Sequence, residues 1–383
     1  MFAGVRTLLV VSHVTHYAHE NRLHAYGPYA REIDIWADLF ENVVIAAPLR
    51  FEAPPGDSVP FGRPNIRVAP QLETGGPTPG AKAWQAISLP LQIWRLIRAM
   101  RGADAIHVRC PGNLGLLGVV LAPKFSERLV AKYAGQWSGF PGEAWSSRLQ
   151  RYLLATRFSG PVTVYGTWPD QPPHIVPFFT SILSTDQIRQ ARAACARRVP
   201  GNRLEVLYAG RLSRDKNVHV LLDSVADLRA RGVAVRLTIV GDGPERAALE
   251  RQAFPRGPVE SVRFAGALPF AEVLREYEAA DVLVLASESE GWPKAITEGM
   301  AFGLVCVGSN RGVVPHLLGE GRGLVVPPGD APALTAALSD LAARPEDRRE
   351  MGRRASDWAQ AYSLDGLRDA LRELLLREWG IAA

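Results

Sequence analysis

The residues best suited to chemistry lie around one polar loop in the second half of the chain. The apolar stretch Val282–Ala286 is a candidate buried strand, and the loop after it leads into a helix that begins near Pro293. Glu290 lies in the loop and Glu298 in the helix, with seven residues between them. Carboxylates accept hydrogen bonds from vicinal hydroxyls, and helix N-termini bind phosphate or sugar oxygens. The spacing predicts a sugar or ribose site. The alternative is that Glu290 is an acid at the helix start that complements the helix dipole and that Glu298 is a solvated glutamate of the helix.

Two other loops of this half carry groups that suit a diphosphate. Arg211 offers a guanidinium fork and Lys216 a mobile ammonium, just after a candidate strand. Gly210 permits a ligand to approach the backbone closely. A further turn, from Gly241 into Asp-Gly-Pro, leads from the next strand into a helix. Any one of these loops also fits an ordinary surface turn, but three loops at strand ends of one sheet indicate a common anion site.

The elements that position these loops alternate regularly along the chain. We predict six strands and four helices in the first half, and six strands and five helices in the second. The alternation is typical of parallel sheets, and 383 residues are too many for one ordinary core. The sequence therefore predicts an α/β protein of two doubly wound, Rossmann-like domains, at residues 1–183 and 203–362.

Composition and charge restrict the class of protein. The 47% apolar and 22% charged residues are ordinary for a soluble globular protein. The net charge of +5 lies wholly in residues 1–183, which hold 17 Lys and Arg against 12 Asp and Glu, whereas the rest holds 27 of each. This bias suits an anionic partner such as a phosphorylated lipid or a membrane surface, with an ordinarily basic surface as the alternative. The partners expected do not include nucleic acid.

Sequence features also bear on location. The three cysteines fit no metal or disulfide spacing, which favours a reducing compartment. The apolar runs Leu8–Val11 and Leu114–Pro123 are too short for a signal peptide and a membrane span, respectively. We expect a cytoplasmic protein, with the inner face of the membrane as an alternative location.

One predicted helix, within residues 84–101, has an apolar stripe. Its members are Trp84, Ile87, Leu91, Trp94 and Ile97, and Gln85, Gln92, Arg95 and Arg98 lie elsewhere around the helix. Helices that cover a parallel sheet have this pattern, and so do helices that lie on a membrane surface. We expect the stripe to cover the sheet, and keep membrane contact as the alternative.

In their order and spacing, the motifs of the second half resemble the C-terminal domain of the retaining glycosyltransferases of family 4, which have the two-domain GT-B fold. The resemblance covers roughly residues 203–345. It rests on four motifs: the Gly210-Arg-Leu to Lys216-Asn217 loop, the Gly241-Asp-Gly-Pro turn, the stretch Phe264–Leu268, and the Glu290/Glu298 pair. It implies two domains that face each other across a cleft, with the last helix, within residues 363–383, packed on the first domain.

The resemblance also implies an activity and residue roles. The activity would be metal-independent transfer of a sugar, with retention, from a UDP-, GDP- or ADP-sugar, without a cofactor. Arg211 and Lys216 would bind the diphosphate, Glu298 the ribose and Glu290 the transferred sugar, with Gly266–Leu268 beside the base. The implied donor-binding residues are Gly210, Arg211, Lys216, Gly241, Gly266, Leu268, Glu290, Gly291, Trp292, Pro293, Lys294 and Glu298. The predicted catalytic residues are Glu290, Arg211, Lys216 and His16.

The chain departs from the family in two places. Trp292-Pro293 replaces the usual Phe-Gly pair, and Pro293 removes a backbone donor beside the sugar. The usual Gly-Gly loop after the first strand is replaced by Ser12–Tyr17. Four histidines crowd this region, namely His13, His16, His19 and His24. A metal site is not expected, because no acidic or cysteine ligand shares their spacing. The candidates for binding a glycan, lipid-linked or small-molecule acceptor are His13, His16, Arg109 and Asn113.

Other functions fit parts of the pattern. A sugar phosphorylase or nucleotide-sugar epimerase on the same fold could use the same cations. An NAD-dependent oxidoreductase is disfavoured, because no Gly-x-Gly-x-x-Gly follows a first strand and the turn at Gly241 lacks the third glycine. A bilobal, non-catalytic sugar-binding protein is disfavoured as well, since such proteins are normally exported.

Overall fold

A computed structural model describes residues 4–76, 78–140, 143–181, 183–199, 201–253 and 261–380. The chain divides into two compact units. The N-terminal unit is formed by Met1–Ile182 together with Leu364–Ala383, and the C-terminal unit is formed by Leu183–Ser363. Compared with the predicted limits, residues 183–202 add a helix to the second unit. Within the described residues, no helix has both the length and the apolar character that a membrane crossing requires.

The N-terminal unit is built on a ten-stranded, mostly parallel sheet. Its strands are β1 Thr7–Val11, β2 His16–His19, β3 Arg22–Tyr26, β4 Asn42–Arg50, β5 Ser58–Pro60, β6 Ile66–Gln71, β7 Ala105–Cys110, β8 Leu129–Tyr133, β9 Val162–Tyr165 and β10 Ile175–Phe178. The order is β10-β9-β8-β7-β1-β4-β2-β3-β5, and β6 pairs with β4. The central strands β1, β7 and β8 are almost wholly buried, as expected for a sheet covered on both faces.

Helices cover both faces of this sheet. They are α1 Gly27–Leu39, α2 Pro79–Met100, α3 Asn113–Leu121, α4 Trp145–Thr156 and the C-terminal α13 Leu364–Trp379. Helices α1 and α13 pack together in one core cluster, which includes Trp36 and Leu371. Helices α2, α3 and α4 share the other cluster, which includes Leu96, Val119 and Leu154. The final helix is thus part of the N-terminal unit.

The histidine-rich region forms a β-hairpin, which corrects the prediction of a loop there. Strands β2 and β3 pair in antiparallel register from His16 opposite Ala25 to His19 opposite Arg22. The two turn residues, Glu20 and Asn21, have positive φ angles of 49° and 57°, which is the geometry of a tight hairpin turn. The sequence lacks the usual Asn-Gly or Asp-Gly signal for such a turn, because Glu20 occupies a position that favours Asn, Asp or Gly.

Helix α2 is present, but its orientation is opposite to the one expected. Its buried residues are Ser88, Gln92, Leu96 and Met100. Of the predicted core stripe, Ile97 is half-buried and the others are exposed: Trp84, Ile87, Leu91 and Trp94. Burial of Gln92 is tolerated because its amide donates to the carbonyl of Leu72 at 3.3 Å and to the hydroxyl of Thr74 at 2.8 Å.

The C-terminal unit contains a six-stranded parallel sheet. Its strands are β11 Leu204–Ala209, β12 Val235–Val240, β13 Val262–Gly266, β14 Val282–Leu285, β15 Val305–Ser309 and β16 Gly323–Val326. The order β13-β12-β11-β14-β15-β16 means that the chain winds outward from β11 in one direction and resumes at β14 in the other. All pairings are parallel. The point between β11 and β14 is therefore the topological switch point, where ligands of doubly wound sheets bind.

Helical layers cover this second sheet. They comprise α5 Thr185–Arg197, α6 Val218–Ala230, α7 Arg246–Ala253, α8 Phe270–Ala279, α9 Lys294–Ala301, α10 Val314–Leu318, α11 Ala331–Ala343 and α12 Pro345–Ala359. Helix α6 packs against α7 and α11, and α9 packs against α5 and α12. Two doubly wound α/β units are thus present, as the sequence predicts.

Candidate functional site

The loops after β11 and β14 lie side by side at the switch point of the C-terminal unit. Strands β11 and β14 are hydrogen-bonded neighbours, with Val206 opposite Val282. The loop after β11 runs from Gly210 to a short 3-10 turn, Arg214–Lys216, and the loop after β14 runs from Ala286 to α9. Parallel strands bring their carboxyl ends to the same edge of the sheet. The two loops that the sequence singled out are therefore neighbours.

Asn217 fastens these two loops together. Its backbone adopts a left-handed conformation, with φ of 52°, between the 3-10 turn and α6. Its side-chain amide donates to the carbonyl of Ala286 at 3.0 Å and to the carboxylate of Glu288 at 2.8 Å. The backbone N–H of Glu288 in turn donates to the carbonyl of Asp215 at 2.8 Å. Sequence analysis gave Asn217 no role, although it ends the motif that includes Lys216.

The central contact of the site joins Lys216 to Glu290. The ammonium of Lys216 lies 2.7 Å from a carboxylate oxygen of Glu290. The side chain of Lys216 retains 22% exposure and that of Glu290 retains 10%, so the pair is largely but not wholly shielded from water. Water and salt screen a partly buried ion pair less than an exposed one. The contact brings Lys216, which is predicted to bind the diphosphate, next to Glu290, which is predicted to bind the sugar.

The loops at Gly210 and Gly241 approach each other closely. With φ of +135°, a β-carbon at this position would lie 1.8 Å from the carbonyl oxygen of Gly210. The N–H of Gly241 donates to the carbonyl of Gly266 at 2.8 Å, and the N–H of Gly210 donates to that of Val240 at 3.0 Å. The loops after β11, β12 and β13 are thus linked through backbone contacts that any side chain at residue 241 would break.

Arg211 and the segment after β13 border the same edge of the sheet. The backbone carbonyl of Arg211 accepts a hydrogen bond from the hydroxyl of Tyr208 at 2.7 Å, while the Arg211 side chain is exposed. Burial raises the pKa of Tyr208, so its hydroxyl stays protonated as a donor. Leu268 is half-buried, two residues after β13 ends at Gly266. The backbone of Arg211 is thus held by a hydrogen bond, while its side chain is exposed to solvent.

Helix α9 supplies the other wall. Trp292 and Pro293 are buried, and Pro293 precedes the first helical residue, Lys294. Lys294 places a positive charge at the helix N-terminus, where the helix dipole is also positive. This charge and the free N–H groups of the first turn together attract an anion. Gly291 lies just before this turn and is half-buried. The start of α9 thus forms a positively polarised end next to Glu290.

Glu298 is held on the buried side of α9. Only 6% of its surface is exposed, and its carboxylate accepts a hydrogen bond from the hydroxyl of Tyr277, on α8, at 2.9 Å. Burial and the charge of Glu298 raise the pKa of Tyr277 well above its usual value, so this hydroxyl remains a donor. Tyr277 was not identified from the sequence, because an apolar helix face gives no sign that one of its rings orients a carboxylate.

In the N-terminal unit, two predicted acceptor-side residues lie near the ends of β1 and β7. His13 is exposed and follows β1, and its ring is so close to Gly112 that a β-carbon there would lie 2.6 Å from Nδ1. Partial burial and the nearby Arg109 lower the pKa of His13. Asn113 is the first residue of α3, and its amide donates to the carbonyl of Thr74 at 3.4 Å. Both remain candidates for contact with a ligand of this unit.

His16 occupies the interior of the N-terminal unit. Its ring is fully buried, stacked on Phe61 at 5.7 Å and edge-on to Tyr29 at 5.5 Å. Burial lowers its pKa to about 4, so the ring is neutral at neutral pH. A ring with no exposed surface contacts no ligand in this structure. The prediction of a catalytic or acceptor-binding His16 is therefore corrected to a packing role.

Arg109 is also buried, which corrects its prediction as a ligand-facing cation. Its guanidinium lies 2.6 Å from one carboxylate oxygen of Glu32, and the ammonium of Lys132 lies 2.8 Å from the other. Burial alone would raise the pKa of Glu32, but Arg109 and Lys132 outweigh burial and hold it well below its usual range. Arg109 thus neutralises a buried carboxylate, a contact that depends on a residue 77 positions away in sequence.

Among the described residues, no group of three or more His, Cys, Asp or Glu side chains is arranged to hold a metal ion. His19 and His24 occupy diagonal positions on the two strands of the β2–β3 hairpin, with ring centroids 6.5 Å apart, whereas His16 is buried.

Comparison with known proteins identifies relatives of the C-terminal unit. Residues 195–358 match the model of the family "Glycosyl transferases group 1". The GDP-mannose-dependent alpha-mannosyltransferase of Mycobacterium tuberculosis (strain CDC 1551 / Oshkosh) is 30% identical over 261 residues, which cover 63% of this chain and 66% of that relative. The chain spans about half to two thirds of the length of the curated relatives it matches first. The matched family segment contains every predicted donor-side residue.

Solved structures are similar over nearly the whole chain. Sucrose-phosphate synthase from Thermosynechococcus elongatus has a TM-score of 0.72 at 20% identity, covering 98% of this chain and 99% of that one. Anabaena Alr3699/HepE in complex with UDP and glucose has a TM-score of 0.67 at 18% identity, with 97% and 99% covered. At this identity the likeness concerns the fold, and it confirms the predicted fold class.

Proposed function

We propose that this protein transfers a sugar from a nucleoside-diphosphate sugar to an acceptor hydroxyl, because residues 195–358 match the model of the group 1 glycosyl transferases. The donor would be a UDP-, GDP- or ADP-sugar. The matched relative named above uses GDP-mannose and the structural neighbour binds UDP and glucose, so the two differ in both base and sugar. The proposal therefore names the class of donor and not one nucleotide.

The observation that carries this proposal is the Lys216–Glu290 ion pair at the switch point. The reaction breaks the bond between the sugar and the diphosphate, and negative charge grows on the departing phosphate oxygen. A cation already held in place stabilises that charge without reorganisation. Lys216 is such a cation, because Glu290 and the loop fastened by Asn217 fix its position. The exposed guanidinium of Arg211 would close on the same diphosphate.

The remaining residues fit the other parts of the donor. Glu290 would accept hydrogen bonds from the sugar hydroxyls, with the backbone N–H groups around Gly291 and Lys294 beside it. Glu298, oriented by Tyr277, would bind the ribose hydroxyls, and Gly266–Leu268 would lie along the base. Gly210 and Gly241 leave room for the phosphates, because neither presents a side chain.

We also propose a stereochemical outcome, an acceptor class and a location. Transfer would proceed with retention of the anomeric configuration and without a divalent metal or cofactor, since Arg211, Lys216 and the start of α9 supply positive charge at the diphosphate. The N-terminal unit would bind a glycan, a lipid-linked molecule or a small-molecule acceptor, with His13 and Asn113 as its candidate contacts. The protein would act in the cytoplasm, with no nucleic-acid partner.

Thermal-shift and product measurements test this proposal. The protein would be screened against UDP, GDP, ADP and their sugar conjugates. A ligand at about 100 times its Kd stabilises the fold by about 2.7 kcal/mol and raises Tm by several degrees. Lys216→Ala should lose most of this shift, whereas Arg231→Ala, which removes an exposed cation at the end of α6, should keep it. No shift with any nucleotide would contradict the proposal.

Product analysis separates the related activities. Incubation with the stabilising donor and candidate acceptors, followed by NMR of the anomeric proton, should give a glycoside with the donor's configuration. Inversion would contradict the retaining mechanism. Sugar release that depends on inorganic phosphate would indicate a phosphorylase, and conversion of the donor to its epimer without transfer would indicate an epimerase.

A further inference from the structure

Helix α2 presents an apolar stripe to solvent. The outer stripe consists of Trp84, Ile87, Leu91 and Trp94, which are 52%, 74%, 43% and 56% exposed. Their spacing of three and four residues places them on one face of the helix. Scattered exposed apolar residues are normal, but two tryptophans, an isoleucine and a leucine in one row form a contiguous patch of the kind that marks an interaction site.

Contacts of the buried face fix this orientation of α2. The opposite face buries Ser88 and Gln92, and Gln92 is anchored by two hydrogen bonds to the segment at Leu72 and Thr74. Turning the outer stripe inward would break these bonds and expose Leu96 and Met100, which belong to the core of the unit. The outer stripe is therefore held at the surface.

Neighbouring helices extend the same surface. Helix α3 packs against both α2 and α4, and all three contribute to one core cluster on the same side of the sheet. On α3, Val120 is exposed, and on α4, Trp145 and Tyr152 are exposed one above the other across two turns. Three adjacent helices thus carry exposed aromatic and apolar side chains.

The charge of this helical layer has one sign. Helices α2, α3 and α4 contain no Asp or Glu. The exposed cations of α2 and the residue after it are Lys82, Arg98 and Arg101, and Arg95 is half-buried. Between α2 and β6 lies a groove of about 580 Å³, lined by Arg95, Arg98, Gln71 and Trp94 among others. The guanidinium of Arg98 lies over the Trp94 ring at 5.8 Å. Cations therefore border the outer stripe without acidic groups on their own helices.

We propose that the outer surface of α2, α3 and α4 docks on an anionic lipid bilayer. Tryptophan rings are enriched at membrane interfaces, where their apolar bodies enter the headgroup region. Helices with aromatic residues on one face and Lys or Arg beside them bind such interfaces in the plane of the membrane. Arg95 and Arg98, on the walls of the groove, would bind lipid phosphates, for which guanidinium groups are well shaped.

The charge pattern favours a bilayer over a second copy of the chain. A symmetric dimer through this surface would bring the same patch of each copy together. Because the three helices carry cations and no carboxylates, such a contact would set positive charge against positive charge. An anionic lipid surface supplies the missing negative charge and is attracted over about one Debye length.

Co-sedimentation with vesicles tests the proposal, and it requires neither donor nor acceptor. The full chain would be mixed with vesicles of phosphatidylcholine alone or of phosphatidylcholine and phosphatidylglycerol in equal parts. We expect binding to the anionic vesicles that weakens as NaCl is raised. Arg98→Gln should lower the partition coefficient about fivefold, the value for one cation near an anionic surface. Ile87→Glu, at the most exposed stripe position, should lower it roughly tenfold or more.

Two variants outside this surface serve as matched controls. Val199→Glu places the same charge at an apolar residue that is 79% exposed in the other unit, and Arg349→Gln removes an exposed cation there. Both should bind vesicles like the wild type. Equal loss in control and test variants, or absence of binding to anionic vesicles, would overturn the proposal. So would a dimer in sedimentation velocity that Ile87→Glu converts to monomers while vesicle binding is unchanged.

Discussion

The Lys216–Glu290 pair leads to an unusual expectation for Glu290→Gln, namely lower turnover without weaker nucleotide binding. In the structure the carboxylate of Glu290 neutralises the ammonium of Lys216 at 2.7 Å. A bound diphosphate has to share that ammonium with Glu290. Glutamine keeps the size of the side chain and an oxygen acceptor, but removes the competing charge.

The magnitude follows from the contact. A hydrogen bond to a charged group contributes about 1.5–3 kcal/mol, so Lys216→Ala should weaken the binding of a nucleoside diphosphate by about 10- to 100-fold. Glu290→Gln should leave that affinity unchanged or tighten it by up to about tenfold, because Lys216 becomes fully available. It should also lower kcat by about 10- to 100-fold, if a contact to the sugar strengthens as the glycosidic bond breaks.

Calorimetric titration and turnover would be measured for both variants and for their combination. The loss of nucleotide affinity caused by Lys216→Ala should be larger in the Glu290→Gln background than in the wild type. A double-mutant cycle reports this coupling directly. Asp227→Asn is the matched control, because it breaks a 2.6 Å ion pair with Arg231 at the far end of α6. The reasoning is refuted if Glu290→Gln weakens the nucleotide as much as Lys216→Ala does.

Four further expectations follow from the same structure. Arg211→Ala should weaken a nucleoside diphosphate by about 10- to 100-fold in calorimetry while Tm in the absence of ligand is unchanged, since its side chain is exposed. Tyr277→Phe should weaken nucleoside binding about fivefold, because Glu298 loses the hydrogen bond that orients it; an unchanged affinity would argue against the ribose assignment. Transfer should persist in excess EDTA, and a loss that Mg²⁺ or Mn²⁺ restores would contradict the metal-independent mechanism. His16 has a pKa of about 4 in the folded protein, below its value in the unfolded chain, so the unfolded state takes up the extra proton and stability decreases as the pH is lowered. Between pH 8 and pH 5 the free energy of unfolding, measured in urea, should fall by about 2 kcal/mol on account of His16, and His16→Phe should remove this loss.

The donor-side elements could be predicted because the local sequence determines them. The predicted strand Val282–Ala286 is present as Val282–Leu285, since a short apolar run before a polar loop leaves little choice. Gly241 was predicted to lie in a turn from a strand into a helix, and the structure places its backbone against that of Gly210. Parallel pairing then brings the loops together without any further information from sequence.

Other features depend on contacts that sequence patterns do not record. The apolar stripe of α2 fits a sheet-covering helix equally well, and only the anchoring of Gln92 to the segment at Thr74 decides which face turns inward. Arg109 looked like a free cation at a strand end, because its partner Glu32 lies far away in the sequence. The hairpin at His16–Tyr26 was missed because its turn lacks glycine.

The central claim is that the switch point of the C-terminal unit binds the diphosphate of the donor. A crystal structure of the protein soaked with the nucleoside diphosphate that stabilises it most would test this claim directly. The account predicts the two phosphates between Lys216, Arg211 and the first turn of α9. Another cavity of the same unit, at the opposite ends of its strands, is lined by Arg197, Arg198 and Arg203 together with Glu205, Glu278 and Asp281. Phosphates bound there, with the loop at Lys216 empty, would contradict the account.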